Sequence, residues 1–400
     1  MKKVLFITKN MACGGVERTL LNLLSALDPG KYSVELLLLE AKGEFLEAVP
    51  GHIKVQEARL SEKWLAILKN SELSWKAGFR AFWKQKKYGT AVQFAFLKLR
   101  SRLAAKCGKK SPLFDKCSKK IKLPAQQYDI VCDYHGYGYV TTYLAARFDG
   151  AKKFSWIHIE NIDDAFRSAR ELYPRFDGFF GVSPRCLQNF SDAFPEVGKE
   201  RLVLLYNLIP KEDIRRAGMQ PPSVHYDGRG RFRMVSVGRL STQKGFDLAL
   251  EAANVLKSRG REFLWIIIGD GPERANLEAQ IAEGGLQQDV ILHGQDNNPY
   301  AYMAGADLYV QTSRFEGFAT TLSEAVVLEK PMVSTTFSGV DQQIVDGKNG
   351  LLTAFDKNAL ADRIEQMMFD AALRQRCADG CREIVLPMDQ TLQTLDRMFR

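Results

Sequence analysis

The amino-acid sequence predicts an α/β protein built from two doubly wound domains, the first of which carries a basic helical insertion. Its 400 residues are 46% hydrophobic, which is enough to fill more than one core. Two series of short apolar runs alternate with helical patterns, and a stretch containing several prolines and glycines separates them. We therefore predict a first domain over residues 1–206, a linker over 207–230, a second domain over 231–385, and a C-terminal helix over 386–400 that is free to pack back on the first domain.

The first series opens with a strand, a glycine loop, a helix and a second strand, which is the βαβ pattern of a parallel sheet covered on both faces. A Lys-Lys pair precedes the first run, but the apolar stretch after it is too short for a signal peptide, so a buried strand is expected. The runs that predict strands are Val4–Thr8, Val34–Leu39, Ile130–Cys132, Phe154–Ile157 and Phe179–Val182.

The second series repeats this alternation at a spacing typical of another doubly wound domain. Helices are predicted over about 246–257, after Pro272, and over about 321–328. The runs that predict strands are Phe232–Val237, Phe263–Ile268, Val290–Leu292, Leu308–Gln311, Met332–Ser334 and Leu351–Thr353.

The net charge of +9 is concentrated in one segment, residues 61–123. That segment holds seventeen Lys or Arg residues against three acidic residues, a net of +14, so the rest of the chain carries −5. This distribution excludes a diffusely basic protein that coats nucleic acid. Val92, Phe96, Leu99 and Leu103 form a helical stripe among the cations, which suits a helix lying on an anionic membrane surface. The alternative is an insertion whose apolar side packs on the first domain while its cations are solvated.

Cysteine usage and hydropathy predict the cellular location. The seven cysteines have neither metal-ligand spacing nor the even count of a disulfide framework, which fits a reducing cytoplasm. No stretch approaches the eighteen consecutive apolar residues of a membrane span. We expect a cytoplasmic protein whose basic segment can attach it peripherally to the inner face of the membrane.

Open parallel sheets bind ligands at the carboxyl ends of their strands, and four loops of the second domain follow predicted strands. The first loop contains Gly238 and Arg239, and Lys244 follows just before a helix. Two cations and a helix N-terminus around one point suit a diphosphate, because an Arg guanidinium can bind two oxygens at once. Two solvated charges on a loop are an equally good interpretation of these residues alone.

Two further loops contain glycines, which let a ligand approach the backbone closely. Gly269 and Gly271 lie in one loop. Gly294 and Gln295 lie in the other, where backbone contact with a flat base is expected. By itself, the loop at 269–271 is more typical of an ordinary turn between a strand and a helix.

The fourth loop leads into a helix, and the two elements hold a pair of glutamates with seven residues between them. Glu316 lies in the loop, where its carboxylate can accept hydrogen bonds from ligand hydroxyls. Glu324 lies near the start of the helix and can reach a second diol of a long ligand. The same spacing has an explanation without a ligand: Glu316 is an ordinary loop residue, and Glu324 lies near a helix N-terminus, where the helix dipole favours an acidic side chain.

The first domain offers two weaker candidates. Gly15 stands at the start of the first helix, where a phosphate or hydroxyl can be held, although the dinucleotide fingerprint GxGxxG is absent. His158 follows the apolar run at 154–157 and is therefore expected at a strand end, although a lone histidine is more often structural. The sequence has no Asp-x-Asp, so a clamp of metal and diphosphate is not supported.

Taken together, these residues resemble the retaining glycosyltransferases of the GT-B fold, in the large group called family four or glycosyl transferases group 1. The resemblance covers nearly the whole chain. It rests on GGVER at 14–18, IHIEN around His158, YNLIP at 206–210, VGRLSTQKG at 237–245, GDGP at 269–272 and FEGFATTLSEA at 315–325. It implies two Rossmann-like domains facing each other across a cleft, with a nucleotide-sugar held mainly by the second.

The resemblance also implies a role for each matching charged or polar residue. Arg239 and Lys244 would bind the diphosphate, and Glu324 the ribose diol. Glu316 would hold the hydroxyls of the donor sugar. His158 would position or hydrogen-bond that sugar rather than act as a general base.

Main-chain groups complete the implied donor site. The N–H groups of Gly317, Phe318 and Ala319 would help Glu316 to hold the sugar. The helix opened by Thr320 and Thr321 would direct its positive end at the leaving phosphate.

The implied function is transfer of a sugar from a nucleotide-sugar, expected to be UDP-linked, to a glycan or lipid-linked acceptor in cell-surface polysaccharide synthesis. The resemblance also implies retention of the anomeric configuration. We expect no metal, no other cofactor and no nucleic-acid partner. One alternative is a non-catalytic, nucleotide-sugar-binding subunit of a polysaccharide assembly complex, against which the four intact charged residues at 239, 244, 316 and 324 argue. Another is a different enzyme of the same fold, such as a nucleotide-sugar epimerase or a phosphorylase.

Overall fold

The chain divides into two compact units, each built around its own parallel β-sheet. The first unit combines Met1–Tyr206 with Thr391–Arg400, and the second is Asn207–Gln390. The predicted α/β class with two parallel sheets is therefore confirmed. The computed structural model describes residues 1–12, 14–71, 73–222, 230–386 and 390–400.

Seven parallel strands form the sheet of the first unit. They are β1 (Lys2–Thr8), β2 (Tyr32–Leu38), β3 (Lys54–Glu57), β4 (Ile130–Asp133), β5 (Lys152–Ile157), β6 (Gly178–Gly181) and β7 (Leu202–Leu204). Their order across the sheet is β3-β2-β1-β4-β5-β6-β7, so the carboxyl ends of β1, β4 and β5 are neighbours. The sequence does not predict β3, because this short edge strand, Lys-Val-Gln-Glu, has no fully buried residue and carries no apolar run. The strand β7 is also missing from the prediction, although its residues Leu-Val-Leu form a short apolar run.

Eight helices of the first unit precede residue 206 in the described part of the chain. They are α1 (Gly15–Ala26), α2 (Glu62–Lys69), α3 (Trp75–Lys84), α4 (Tyr88–Lys106), α5 (Pro112–Lys120), α6 (Val140–Ala145), α7 (Asp164–Ala169) and α8 (Pro184–Ala193). The predicted basic insertion is confirmed as helical, since α2 to α5 lie between β3 and β4. Side chains start two of its helices: Ser74 Oγ accepts a hydrogen bond from Ala77 N at 3.2 Å, and Ser111 Oγ accepts one from Phe114 N at 3.4 Å.

The long helix α4 has two apolar faces. Phe94 lies on the face that packs inward and is fully buried. Val92, Phe96, Leu99 and Leu103 lie on the other face, and each is 49–59% exposed. The alternative in which the apolar side of the insertion packs on the first domain is therefore confirmed for the Phe94 face of α4, a helix that contacts α7, whereas the stripe is exposed. Membrane binding by that stripe stays a prediction. Throughout the described residues, helices long and apolar enough to cross a membrane are absent.

Six parallel strands form the sheet of the second unit. They are β8 (Phe232–Val237), β9 (Phe263–Ile268), β10 (Val290–Gly294), β11 (Leu308–Gln311), β12 (Met332–Thr335) and β13 (Gly350–Thr353). Their order is β10-β9-β8-β11-β12-β13, which makes β8 and β11 neighbours at the centre. All six are predicted from the sequence, because each contains a short run of mainly apolar residues.

Seven helices cover this second sheet or precede it. They are α9 (Lys211–Gly218), α10 (Phe246–Ser258), α11 (Arg274–Glu283), α12 (Pro299–Gly305), α13 (Thr320–Val327), α14 (Lys357–Phe369) and α15 (Ala371–Cys381). Large apolar side chains such as Trp265 and Leu256 are fully buried between strands and helices.

Helix α9 lies within the segment predicted as a linker, 207–230, and that prediction misses it. The helix buries only Ile214, so its sequence has no apolar period. It is instead fixed from outside: Asn298 Nδ2 donates a hydrogen bond to the carbonyl oxygen of Ala217 at 3.0 Å. Residues 223–229 of the predicted linker lie outside the described residues.

The last helix, α16 (Thr391–Phe399), belongs to the first unit. The buried Phe399 ring contacts Tyr32 edge-on at 5.7 Å between centroids, and Lys2 Nζ donates to the carbonyl oxygen of Phe399 at 2.6 Å. Tyr206 accepts a hydrogen bond from Thr391 Oγ1 at 2.9 Å, where the chain returns to this unit.

Candidate functional site

A shielded ion pair joins the loops that follow the two central strands of the second unit. Lys244 lies after β8 and Glu316 after β11, and Lys244 Nζ is 2.6 Å from Glu316 Oε1. The two side chains are only 18% and 8% exposed. The structure therefore brings these two predicted site residues together at the carboxyl edge of the sheet, where open parallel sheets bind ligands.

Three further donors hold the Glu316 carboxylate. Ser313 Oγ donates to Oε1 at 2.6 Å, and Gln311 Nε2 donates to the same oxygen at 3.3 Å. Gln243 Nε2 donates to Oε2 at 3.3 Å. A carboxylate with this many donors is fixed in orientation before any ligand arrives. These residues are not predicted as site residues from the sequence; the available signal for Gln311 and Ser313 is the polar run Gln-Thr-Ser at the end of an apolar strand.

Hydrogen bonds also join the loop after β11 to the loop after β8 and the start of α10. Arg314 binds the Asp247 carboxylate through two hydrogen bonds, of 2.8 and 2.6 Å. These bonds are the main reason that the pKa of Asp247 lies below its usual range. Thr312 Oγ1 donates to the carbonyl oxygen of Lys244 at 2.9 Å, and Arg314 N to that of Gln243 at 2.8 Å. The Lys244–Glu316 geometry is therefore carried by a rigid loop pair.

The predicted glycine loops pack backbone against backbone. Gly269 has φ +143, and a Cβ there would lie 1.9 Å from the carbonyl oxygen of Gly238. A Cβ on Gly271 would lie 2.3 Å from the carbonyl oxygen of Leu240. Gly269 N donates to Gly294 O at 2.8 Å, where Gly294 itself has φ +92. These glycines are thus required by the close approach of three loops, and their contact with a ligand stays a prediction.

Two other predicted donor-binding residues extend away from this network. Arg239 and Gln295 lie in the loops after β8 and β10, and both are exposed. Within the described part of the chain, Arg239 forms no ion pair, so its guanidinium is available at the same sheet edge as Lys244.

Glu324 lies in α13, buried to 5% exposure. Tyr300 Oη, on α12, donates to Glu324 Oε1 at 3.1 Å, a partner that the sequence does not reveal because it lies on another helix. Another residue stabilises the start of α13: Gln343 Nε2 donates hydrogen bonds to the carbonyl oxygen of Ala319 and to Ser323 Oγ, both at 2.7 Å.

The remaining predicted positions lie at the N-terminal end of α13. Thr320 is the first residue of the helix, and Thr321 Oγ1 donates to Gln311 Oε1 at 3.3 Å. Gly317 and Phe318 are partly exposed in the loop just before it. The arrangement links the start of α13 to Gln311, which also contacts Glu316.

In the first unit, His158 lies at the carboxyl end of β5 and is 8% exposed. Its Nε2 is 2.7 Å from the carbonyl oxygen of Tyr134, so Nε2 carries the proton of the neutral ring. Burial lowers the pKa of His158 to about 4, although the bond to Tyr134 opposes this shift. The imidazole is therefore neutral near pH 7, which suits a positioning role. Gly15 is the exposed first residue of α1, with open space where a side chain would stand.

The loop His135-Gly-Tyr-Gly-Tyr139, which follows β4, is not predicted as a candidate site from the sequence. Gly136, Tyr137 and Gly138 have φ of 65, 62 and 61, a left-handed conformation that is costly for tyrosine. Burial lowers the pKa of His135 to about 3. The signal in the sequence is a Gly-x-Gly directly after an apolar strand.

No group of three or more His, Cys, Asp or Glu side chains is arranged to hold a metal ion in the part of the chain that the structure describes. The expectation of metal-independent chemistry stays a prediction.

Comparison with known proteins identifies a family and individual relatives that match part of the chain. Residues 228–383 match the family model for glycosyl transferases group 1. The chain is 33% identical over 147 residues to the alpha-D-kanosaminyltransferase of Streptomyces kanamyceticus, covering 36% of this chain and 38% of that protein. It is 31% identical over 206 residues to the N-acetylgalactosamine-N,N'-diacetylbacillosaminyl-diphospho-undecaprenol 4-alpha-N-acetylgalactosaminyltransferase of Campylobacter jejuni, covering 51% and 54%. These matches span about half or less of each relative's length.

Solved structures extend the similarity to both units. HepE from Anabaena, in complex with UDP, matches with a TM-score of 0.68 and 19% identity over 99% of each chain. A TarM mutant from S. aureus, in complex with fondaparinux, alpha-GlcNAc-glycerol and UDP, matches with a TM-score of 0.70 and 15% identity over 100% of each chain. The chain therefore has the fold of GT-B glycosyltransferases, and its residues 228–383 match the glycosyl transferases group 1 family.

Proposed function

We propose that the protein is a retaining glycosyltransferase that moves a sugar from a UDP-sugar to a lipid-linked or glycan acceptor in cell-surface polysaccharide synthesis. The observation that carries this proposal is the shielded Lys244–Glu316 pair at the carboxyl ends of β8 and β11, with its preorganised donors. Structures similar to this one hold UDP, and similar proteins are named as transferases of amino sugars.

The exposed Arg239 and the fixed Lys244 would bind the diphosphate of the donor. Glu324, oriented by Tyr300, would accept hydrogen bonds from the ribose diol. Glu316 would bind the hydroxyls of the sugar, which replace some of its present donors. In this arrangement a single ligand contacts both Glu316 and Glu324. If Glu316 had only a structural role, its position would not need to match that of Glu324.

The chemistry follows from the charges that develop during transfer. The bond between the anomeric carbon and the diphosphate oxygen breaks, and its electron pair leaves with the diphosphate. The acceptor oxygen forms its bond to the same face of the anomeric carbon, and the acceptor proton moves to the departing phosphate oxygen. Arg239, Lys244 and the positive end of α13 would stabilise the charge on that leaving group, which is where preorganised electrostatics contribute most. No metal is needed for this step.

The acceptor side of the proposal rests on the basic insertion. Residues 73–103 hold eight of the sixteen large apolar side chains that are exposed in the described part of the chain. They include Trp75, Trp83 and Tyr88, aromatic types that are enriched at membrane interfaces, and they lie among the cations of a segment with a net charge of +14. We infer that the protein works peripherally on the cytoplasmic face of a membrane. The similar C. jejuni enzyme is named for a substrate linked to diphospho-undecaprenol.

The test is a panel of UDP-sugars incubated with lipid extracts, with UDP release and product mass as readouts. Arg239→Ala, Lys244→Ala and Glu324→Ala are each expected to lower transfer at least about a hundredfold, since each removes a group that acts on the donor. Arg382→Ala, an exposed arginine paired with Glu329, is the matched control and should transfer like the wild type. Wild-type turnover in the three site variants would refute the site. UDP binding without UDP release from any donor would indicate a non-catalytic nucleotide-sugar-binding subunit.

A further inference from the structure

The first unit contains a cavity of about 510 Å³ between its basic insertion and the loops that follow β4 and β5. Helices α3, α4 and α5 contribute Trp75, Leu99 and Leu113 to its lining, and the loop after β4 contributes His135 and Tyr137. The cavity thus lies at the carboxyl edge of the sheet, the edge at which such sheets bind ligands. Its volume is within the range of small-molecule sites.

Most of the lining surface is apolar or aromatic, although several serines and four charged residues also contribute to it. Hydroxyls such as that of Ser111, which is hydrogen-bonded to Ser101 at 2.7 Å, are already satisfied. His135 differs: its Nδ1 is buried and has no hydrogen-bond partner among the described residues. The ring lies against Tyr137 and Tyr139, at 5.2 and 5.5 Å between centroids. A neutral, unpartnered imidazole in an aromatic wall is a polar group kept available inside an apolar site.

The loop that presents His135 is under backbone strain. Tyr137 has φ +62, and Cβ atoms on Gly136 and Gly138 would lie 2.1 Å and 2.3 Å from the carbonyl oxygens of Trp156 and Ala165. The loop is therefore pressed against β5 and α7 and cannot relax into an ordinary turn. Strained conformations of this kind concentrate at ligand sites, where the surrounding structure holds them in place.

The cavity is continuous with the exposed apolar face of the insertion. Leu99 and Trp75 line the cavity, yet they are 49% and 40% exposed. Leu99 also belongs to the exposed stripe of α4. Lys98 and Arg102, the cations that line the cavity, lie on the same helix. Two acidic residues also line the cavity: Asp163, whose carboxylate already accepts hydrogen bonds from the N-terminus of α7, and Asp164, the first residue of that helix.

We propose that this cavity binds the apolar chain of an amphiphilic acceptor, a single-chain lipid phosphate, that enters from the bilayer between Leu99 and Trp75. The chain lies against Leu113 and the aromatic wall, and Arg102 at the mouth pairs with the phosphate. This assignment rests on the proposed function, because it names where a lipid-linked acceptor of that reaction is held. It differs from mere attachment to a membrane, since it requires an interior site in the first unit.

The first experiment fills the cavity. Ala105 lies in α4, lines the cavity and is 3% exposed, so Ala105→Phe places a ring inside it. Binding of a short-chain isoprenyl monophosphate, measured by titration calorimetry without vesicles, is expected to weaken at least about tenfold. Val92→Gln is the matched control: Val92 is 59% exposed on the same helix and does not line the cavity. This control should bind the probe normally while binding anionic vesicles more weakly. Unchanged probe binding by Ala105→Phe would overturn the proposal.

A second measurement does not depend on how Ala105→Phe folds. A probe brominated on its chain is expected to quench the fluorescence of Trp75 in the unsubstituted protein, and Trp75→Phe should remove that part of the quenching. Isoprenol should compete with the probe and inorganic phosphate should not, since the apolar chain supplies the main contact. Competition by phosphate but not by isoprenol would show that the protein recognises the phosphate alone, and it would refute binding of the chain in the cavity. UDP binding is measured in parallel. Intact UDP binding and transfer without probe binding would overturn this inference and leave the proposed function standing.

Discussion

Ser313 allows a sharp test of how Glu316 is held. The serine is fully buried; its Oγ donates to Glu316 Oε1 at 2.6 Å and accepts from Gln311 Nε2 at 2.7 Å. Ser313→Ala removes the hydrogen bond to the charged Glu316, worth about 1.5–3 kcal/mol. It also removes the acceptor of Gln311 Nε2, which keeps its second acceptor, Glu316 Oε1. Lys244 remains 2.6 Å from the same oxygen and keeps the carboxylate paired, so we expect a loss of about 2 kcal/mol in the free energy of unfolding, within that range.

Two assays separate stability from function in this variant. For a unit of this size, about 2 kcal/mol corresponds to a fall of about 4–8 °C in Tm. Under the proposed function, Glu316 also loses orientation toward the donor sugar, so kcat for transfer should fall about tenfold or more while the Kd for UDP stays unchanged. Thermal unfolding, UDP titration and transfer kinetics measure the three quantities.

Ser334→Ala is the matched control for Ser313→Ala. Ser334 is also fully buried in the second unit, but its Oγ donates to the carbonyl oxygen of Thr335 at 2.9 Å, a neutral bond away from Glu316. We expect a cost of about 1 kcal/mol and normal transfer. If Ser313→Ala transfers sugar at the wild-type rate, or if both variants lose activity equally, the orienting role of Ser313 is refuted.

Three other predictions concern packing, donor binding and pH. Gly269→Ala should prevent folding of the second unit or lower its free energy of unfolding by more than about 3 kcal/mol, because the added Cβ would overlap a carbonyl oxygen. The control Gly260→Ala, at a position with φ +72 and open space around it, should lower the free energy of unfolding by about 1 kcal/mol. Equal Tm values for the two variants would contradict this reasoning. Tyr300→Phe should weaken UDP binding several-fold by removing the donor to Glu324, with no change expected in kcat at saturating donor; calorimetry and kinetics measure both. Because the pKa of His158 is about 4 when folded and 6.5 when unfolded, its contribution to stability is complete above pH 6.5. It is lost at about 1.4 kcal/mol per pH unit as pH falls toward 4. In urea unfolding, His158→Gln should reduce this pH dependence, and an unchanged slope would show that another group causes it.

The strands could be predicted where burial on both faces produces an apolar run, as in Phe263–Ile268, whose bounds match those of β9. The edge strand β3 and the helix α9 could not, because their side chains are largely solvated and leave no apolar pattern. In α4 the periodicity is present on two faces, and only the packed structure shows that Phe94 is buried while Phe96 is exposed. A pattern identifies an amphipathic helix but does not say which of two apolar faces has a partner.

The candidate site could be predicted in part for a related reason. Lys244 and Glu316 are visible because charged residues at strand ends stand out against apolar runs, although their contact at 2.6 Å depends on the pairing of β8 with β11. Ser313 and Tyr300 support the two glutamates, and serines and tyrosines at such positions are common enough to carry no signal alone. Residues that orient others are recognised only once the fold brings them together.

Helix α16 has a consequence for the order in which the chain can fold during synthesis. The second unit is continuous in sequence from Asn207 to Gln390, so all its strands are available before α16 has been made. The first unit instead receives its last element, which covers Tyr32 and Lys2, only after the whole second unit has been translated. Until then Tyr32 lacks the aromatic ring of Phe399, and the N-terminal ends of β1 and β2 are uncovered there. We expect the unit that begins later along the chain to be completed first.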